Sequence, residues 1–199
     1  EFEWLPRKFK IAVTGALEDR AAIGVHDVGL RVYRNDKGQV QFDVYAGGGL
    51  GRTPVLGALV RSELPIEHLL TYLEALMRVY NRYGRRDNKY KARIKILVRA
   101  MGVDGFRAKV DEEWSHSKDG PGTLPETEIS RIEDFFAPPS YSEQPDVTDV
   151  LAEQRLANPK FSQWLQHNVI EHKAPGYAAV TLSTKATGVP PGDVSDTQI

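Results

Sequence analysis

Cysteine is absent from this chain of 199 residues. Its absence excludes disulfides, thiolate zinc sites and, within this chain, cysteine ligation of an iron–sulfur cluster. No apolar run approaches the roughly 20 residues that a helix needs to cross a bilayer, and no secretory signal is present. The net charge of −1 does not point to nucleic acid or to an acidic membrane surface. We therefore expect a soluble cytoplasmic protein.

The hydrophobic pattern predicts an α+β order of elements. It predicts strands over 5–13, 29–34 and 40–45, with a hairpin turn at 35–38, and helices over 65–84, along 94–101 and around 106–114. Residues 115–145 are typical of a surface linker. One short helix is expected within 146–172, with Phe161, Trp164 and Leu165 on its buried side.

Both ends of the sequence predict a piece of a larger protein. The chain begins without methionine, only a few residues before its first predicted strand. Near its other end, residues 177–183 form a predicted strand with nothing after it to pair with.

The first predicted strand carries Lys8 and Lys10. Side chains at i and i+2 share one face of a strand, about 6.5–7 Å apart, so these ammonium groups repel each other. A folded protein tolerates such a pair best when an anion or open solvent lies opposite. The residues leave two interpretations open: an edge strand protected by lysine, or an anion site.

A glycine cluster, Gly47, Gly48 and Gly49, follows the predicted hairpin and is succeeded by Gly51 and Arg52. It is not a Walker loop, because no Gly-Lys-Ser/Thr follows, and it lacks the third glycine of a dinucleotide fingerprint. Successive glycines allow backbone N–H groups to approach a ligand closely, with an arginine beside them. The alternative is a bulge or tight turn.

Six cations lie within residues 85–95, and the early ones fall at a predicted helix N-terminus. Cations are disfavoured at that end of a helix unless an anion joins them. A solvated helix face is the commoner explanation of such a run. If the lysine pair, the glycine cluster and this basic run converge, their ligand carries many negative charges. His26 is interpreted as a structural histidine held by Asp27, the next residue in the sequence.

Together these elements resemble the sirohaem-dependent sulfite and nitrite reductases. The matching segments are 5–10, 46–51 and 84–95, in the order and rough spacing of that family, with further matches at 19–27 and 175–182. The resemblance covers nearly all of residues 4–114 and resumes at 175–199.

The resemblance implies a mixed sheet flanked by helices. Residues 1–115 would form the first sirohaem-type half-domain of the family. Residues 116–174 would be a linker or arm with a short helix. Residues 175–199 would be the truncated start of a ferredoxin-like half-domain.

The resemblance also implies an activity, the six-electron reduction of sulfite to sulfide, or of nitrite to ammonia. The electrons would come from ferredoxin or an NADPH-dependent flavoprotein, through a 4Fe–4S cluster coupled to sirohaem. Lys8 and Lys10 would bind the anionic substrate and donate protons. The residues expected to contact sirohaem are Gly47, Gly48, Gly49, Arg52, Arg86 and Lys89.

One departure from the family is plain. The cysteines that hold the cluster are absent, so other domains of the same protein would have to supply them, and this piece alone is expected to be inactive. The alternative is a non-catalytic anion- or cofactor-binding module of the same fold. Neither interpretation involves nucleic acid or a membrane.

Overall fold

The computed structural model describes residues 2–185, 188 and 190–192. Its strands are β1 Ile11–Thr14, β2 Val28–Arg34, β3 Val40–Ala46, β4 Ala58–Pro65, β5 Val169–Glu171 and β6 Ala178–Val180. Its helices are α1 Leu69–Tyr83, α2 Ile94–Met101, α3 Val103–Ser115, α4 Glu126–Phe135, α5 Thr148–Ala157 and α6 Pro159–Asn168. The chain divides into two compact units, one up to Phe136 and one from Ala137.

The first unit is built on a mixed sheet with strand order β1-β2-β3-β4. The β1–β2 pair is parallel, and the β2–β3 and β3–β4 pairs are antiparallel. Helices α1, α2 and α3 bury their apolar sides against the sheet. The core joins Val28, Leu30 and Val44 of the sheet to Tyr80 of α1 and Phe106 of α3. The predicted α+β class and the predicted hairpin are confirmed.

The first strand is shorter than the sequence predicts. Residues 5–10 lie outside it because the Lys10 N–H donates to the side chain of Asp27, at 3.0 Å, instead of entering the ladder. The ladder begins at the Lys10 carbonyl, which accepts from the Val28 N–H at 3.1 Å. Strand β1 lies at the edge of the sheet, and Ile11 and Val13, which share one face of it, are 42% and 52% exposed.

Strand β4 has no counterpart in the sequence prediction. Its pairing with β3 shifts register between Phe42 and Val44 and again between Val44 and Tyr45, and Glu63 adopts a left-handed φ of 54°. Such bulges break the two-residue alternation by which a strand is recognised. The predicted helix start at Pro65 is instead the end of this strand, and α1 begins after a short 3₁₀ turn.

Gly84 ends α1. A glycine at this position commonly caps a helix in the left-handed conformation, but the φ of Gly84 is −66°, which is open to any residue. A Cβ at this position would lie 2.6 Å from the Tyr80 carbonyl oxygen and 2.7 Å from Pro6 Cγ. The glycine therefore permits the close approach of the N-terminal segment to the end of the helix.

The second unit contains α5, α6 and the antiparallel pair β5–β6. Two helices replace the single one predicted, and the predicted burial of Trp164 is wrong, since it is 40% exposed. Strand β6 pairs with the preceding strand β5, although the sequence showed no later partner. In the predicted linker, α4 forms part of the first unit. Of the predicted half-domain at 175–199, residues 186, 187, 189 and 193–199 lie outside the described residues.

Within the described part of the chain, no helix is long and apolar enough to cross a membrane. The cytoplasmic location stays a prediction.

We expect Tyr80→Phe to lower the free energy of unfolding by about 1–2 kcal/mol. The buried Tyr80 hydroxyl lies 3.0 Å from the Arg7 carbonyl oxygen and 2.9 Å from that of Ala92, and phenylalanine leaves both without this donor. The measurement is urea denaturation of the purified protein. The control is Tyr90→Phe at a side chain that is 79% exposed. Equal losses in the two variants would contradict the expected role of the hydroxyl.

Candidate functional site

Asp27 lies at the centre of the candidate site, where the lysine segment, the glycine cluster and the basic run meet. This residue immediately precedes β2 and its side chain is fully buried. Its carboxylate accepts three hydrogen bonds, from the Lys10 N–H at 3.0 Å, Arg93 Nε at 2.8 Å and Arg93 Nη2 at 2.5 Å. A buried carboxylate is costly unless it is paired and hydrogen-bonded, and this one is both. Hydrogen bonding to Asp27 raises the pKa of the Arg93 guanidinium.

The same residue joins all three sequence elements. Its carboxylate holds the lysine segment through Lys10 and the basic run through Arg93, and its backbone carbonyl accepts from the Gly47 N–H at 2.9 Å. The lysine segment, the glycine cluster and the basic run therefore meet at one point of the fold. The expectation that Asp27 holds His26 is wrong, because Arg93 and Lys10 occupy its carboxylate.

The backbone around the two lysines is held on several sides. The hydroxyl of Tyr80 anchors the Arg7 carbonyl, and Phe9 packs against the core. By contrast, the side chains of Lys8 and Lys10 are exposed. Among the residues that the structure describes, neither ammonium group has a hydrogen-bond or ion-pair partner. A fixed backbone thus carries two cations that are free to take an anion.

Close contacts within the chain require glycine at positions of the cluster. A Cβ at Gly48 would lie 2.4 Å from the carbonyl oxygens of both Gly24 and His26, and one at Gly47 would lie 3.0 Å from Val98. The Gly49 N–H donates to the Val55 carbonyl at 2.9 Å. The N–H groups of Gly47 and Gly49 are thus used within the chain. Contact of this backbone with a macrocycle stays a prediction.

The loop after the glycines is tied to α2. Lys95 Nζ donates to the carbonyl oxygens of Leu50 at 3.3 Å and Thr53 at 2.7 Å. Arg52 lies between these two anchors and is exposed. In the described part of the chain its guanidinium has no hydrogen-bond or ion-pair partner. This arginine is presented on an anchored loop.

The other two predicted cofactor contacts differ from each other. Arg86 is engaged within the chain, since Nη1 donates to the Trp4 carbonyl at 2.7 Å and Nη2 to Asn81 Oδ1 at 2.5 Å. Lys89 is exposed, and its Nζ lies 5.3 Å from the centre of the Tyr90 ring. Arg86 therefore fastens the N-terminal segment, while Lys89 has no anionic partner among the described residues.

Sequence reasoning missed the two residues that organise the site. Asp27 and Arg93 are 66 positions apart, so no local spacing could connect them. One signal was available, an aspartate directly before an apolar strand, where a carboxylate needs a partner. Of the described residues, no group of three or more His, Asp or Glu is placed to hold a metal ion.

Comparisons with known proteins agree on one family. The family model described as the nitrite and sulphite reductase 4Fe-4S domain matches residues 1–118. A sulfite reductase (ferredoxin) 1 of Mycolicibacterium paratuberculosis is 32% identical over 127 residues, covering 63% of this chain and 22% of the relative. The sulfite reductase (NADPH) hemoprotein beta-component of Chromohalobacter salexigens is 36% identical over 116 residues, covering 54% and 20%.

A solved structure supports the same assignment. The Mycobacterium tuberculosis NirA protein superposes with a TM-score of 0.51 and 29% identity, covering 61% of this chain and 22% of that one. The chain thus spans about a fifth of the length of these relatives.

We expect Gly48→Ala to destabilise the protein by about 2–3 kcal/mol, because an added Cβ has no room between two carbonyl oxygens. The control is Gly105→Ala on α3, where the nearest atom would be Met101 Cβ at 3.8 Å. There alanine is expected to stabilise by about 0.5–1 kcal/mol, since it restricts the unfolded chain. Denaturant midpoints of both variants provide the measurement. A neutral Gly48→Ala would show that the carbonyl oxygens move apart readily.

Proposed function

The chain belongs to the nitrite and sulphite reductase family, and we propose that the enzyme containing it reduces sulfite, with nitrite as the second candidate substrate. Sulfite comes first because the relatives reported above are named sulfite reductases. Their names include ferredoxin and NADPH, which makes ferredoxin or an NADPH-dependent flavoprotein the proposed electron source. The balanced reaction takes hydrogensulfite, six electrons and six protons to hydrosulfide and three waters.

The observation that carries this proposal is the pair of unpaired ammonium groups on an anchored backbone. Lys8 and Lys10 provide two positive charges for a small oxyanion, and each ammonium also carries protons that can be donated. An oxyanion loses its oxygens as water only if protons reach them, so these groups act as general acids as well as binding groups. Anchoring of the backbone lowers the cost of ordering them around the substrate.

The described residues fit sirohaem in part. When bound, sirohaem supplies the redox-active iron and eight carboxylates. Arg52 and Lys89 suit those carboxylates, because both are exposed and have no anionic partner within the described residues. Arg86 would have to serve the cofactor and the Trp4 carbonyl together. The three glycines carry no side chains and would therefore allow the macrocycle to approach the backbone closely.

The 4Fe–4S cluster does not fit this chain, because the sequence contains no cysteine. Cysteine thiolates are the ligands that such clusters use. The cluster belongs to other parts of the proposed enzyme. The proposed roles of Lys8 and Lys10 do not require this chain to bind it.

We expect Lys10→Ala, and likewise Lys8→Ala, to lower kcat/KM for sulfite about 100-fold, since a general acid and a substrate contact are lost together. Sirohaem content, measured from the absorption spectrum of the full-length enzyme, should stay near normal. Lys10→Arg should preserve KM better than kcat, because arginine keeps the charge but is a poor proton donor.

The matched control is Lys37→Ala in the hairpin turn, at another exposed lysine. It should leave both kinetic constants unchanged. Loss of sirohaem without a specific loss of turnover in the Lys8 and Lys10 variants would make these lysines structural. Full sirohaem binding by an enzyme that turns over neither sulfite nor nitrite would favour the non-catalytic module.

We expect Arg52→Gln and Lys89→Gln each to weaken sirohaem retention about tenfold, because each removes a charge-assisted contact to a carboxylate. The measurement is sirohaem bound per chain after dialysis against apo-protein. Arg155→Gln and Lys160→Gln, exposed cations of α5 and α6, are the controls. Equal retention in all four variants would remove Arg52 and Lys89 from the cofactor site.

A further inference from the structure

We propose that Asp27 and Arg93 are positioning residues for substrate binding: they fix the direction of Lys10 and prevent its ammonium group from pairing with Asp27. This inference rests on the proposed function and adds two residues that act through Lys10. It is carried by the geometry of one carboxylate.

One carboxylate oxygen of Asp27 accepts two hydrogen bonds. Oδ2 of Asp27 accepts both from Arg93 Nη2 at 2.5 Å and from the Lys10 N–H at 3.0 Å, while Oδ1 accepts from Arg93 Nε at 2.8 Å. A two-pronged arginine contact fixes the plane of a carboxylate as well as its distance. Arg93 therefore sets where Oδ2 lies, and Oδ2 sets where the Lys10 amide points.

The peptide groups on both sides of Lys10 are held by hydrogen bonds. The Lys10 N–H is held by Asp27 and the Lys10 carbonyl is held by the Val28 N–H at 3.1 Å. When the peptide groups on both sides of a residue are held, the direction of its Cα–Cβ bond is determined. The side chain that carries the Lys10 ammonium group thus extends from a Cα–Cβ bond of fixed direction. Lys8 benefits from the same anchoring because Phe9 and the Arg7 carbonyl are also held.

Arg93 also neutralises the charge of the Asp27 carboxylate. An unpaired carboxylate beside a lysine backbone would attract the ammonium of that lysine, and the pair would remove one cation from substrate binding. Arg93 takes both oxygens of Asp27, and the ammonium of Lys10 remains exposed. A buried ion pair gains little stability over apolar packing, so its stability contribution alone is a weak reason for this arrangement.

The test uses the full-length enzyme with Arg93→Gln, Arg93→Lys and Asp27→Asn. We expect Arg93→Gln to raise KM for sulfite about tenfold with a smaller change in kcat, because a displaced or paired lysine weakens the substrate contact. Hydrogen exchange of the Lys10 amide should accelerate in the same variant, a readout that does not depend on cofactor loading. Arg93→Lys should show a smaller rise in KM, since it keeps the charge next to Asp27.

The control is Arg82→Gln, which removes an arginine–carboxylate contact of 3.3 Å to Glu113, between α1 and α3. It should lower Tm without changing KM or the exchange of the Lys10 amide. Faster exchange in Arg93→Gln with an unchanged KM would overturn the inference and make the pair merely structural.

Two further results separate the possible failures. If Lys10→Ala leaves kcat/KM for sulfite unchanged, the proposed function fails. If Lys10→Ala raises KM but neither Arg93→Gln nor Asp27→Asn does, only the positioning inference fails. Should Arg93→Gln not fold, Arg93→Lys decides: an unchanged KM there overturns the inference, and a rise with faster amide exchange supports it.

Discussion

The ion pair between Asp27 and Arg93 is the constraint on which the site depends. Without a partner, a carboxylate that is fully buried would be among the most costly groups in the fold. Arg93 satisfies it, and in doing so brings the start of α2 to the start of β2. The Lys10 amide and the Gly47 amide bind to the same residue. One electrostatic requirement thereby fixes three segments that are distant in sequence.

The structure follows the sequence closely where the determining interactions are local. The hairpin of β2 and β3 was predictable because its turn, 35–38, and its alternating residues lie within one short stretch. Strand β4 was not, since two register shifts remove the alternation. Residues 5–10 were assigned to a strand because Phe9 continues the apolar pattern, but a side chain of a distant residue takes the hydrogen bond that the strand would need.

The residues of the candidate site also divide into those that the sequence indicated and those that only the fold reveals. Lys8, Lys10, Arg52 and Lys89 were chosen from the sequence as cations near a ligand, and each is exposed in the fold. Residues Asp27, Tyr80 and Arg93 were not chosen, although they hold the backbone of the lysine segment. Their function depends on hydrogen bonds across 17 to 73 positions, and single-sequence patterns carry no information at that distance.

The basic run 85–95 shows why counting cations overstates the charge offered to a ligand. Arg85 pairs with Asp87, Arg86 binds the Trp4 carbonyl, Arg93 binds Asp27, and Lys95 binds two loop carbonyls. Within the described residues, only Lys89 and Lys91 of this run lack a hydrogen-bond or ion-pair partner. The basic run therefore contains both cations that pair within the chain and cations without such a partner among the described residues. Four of its six cations are engaged within the chain, and the two that remain, together with the lysine pair, are available to an anionic ligand.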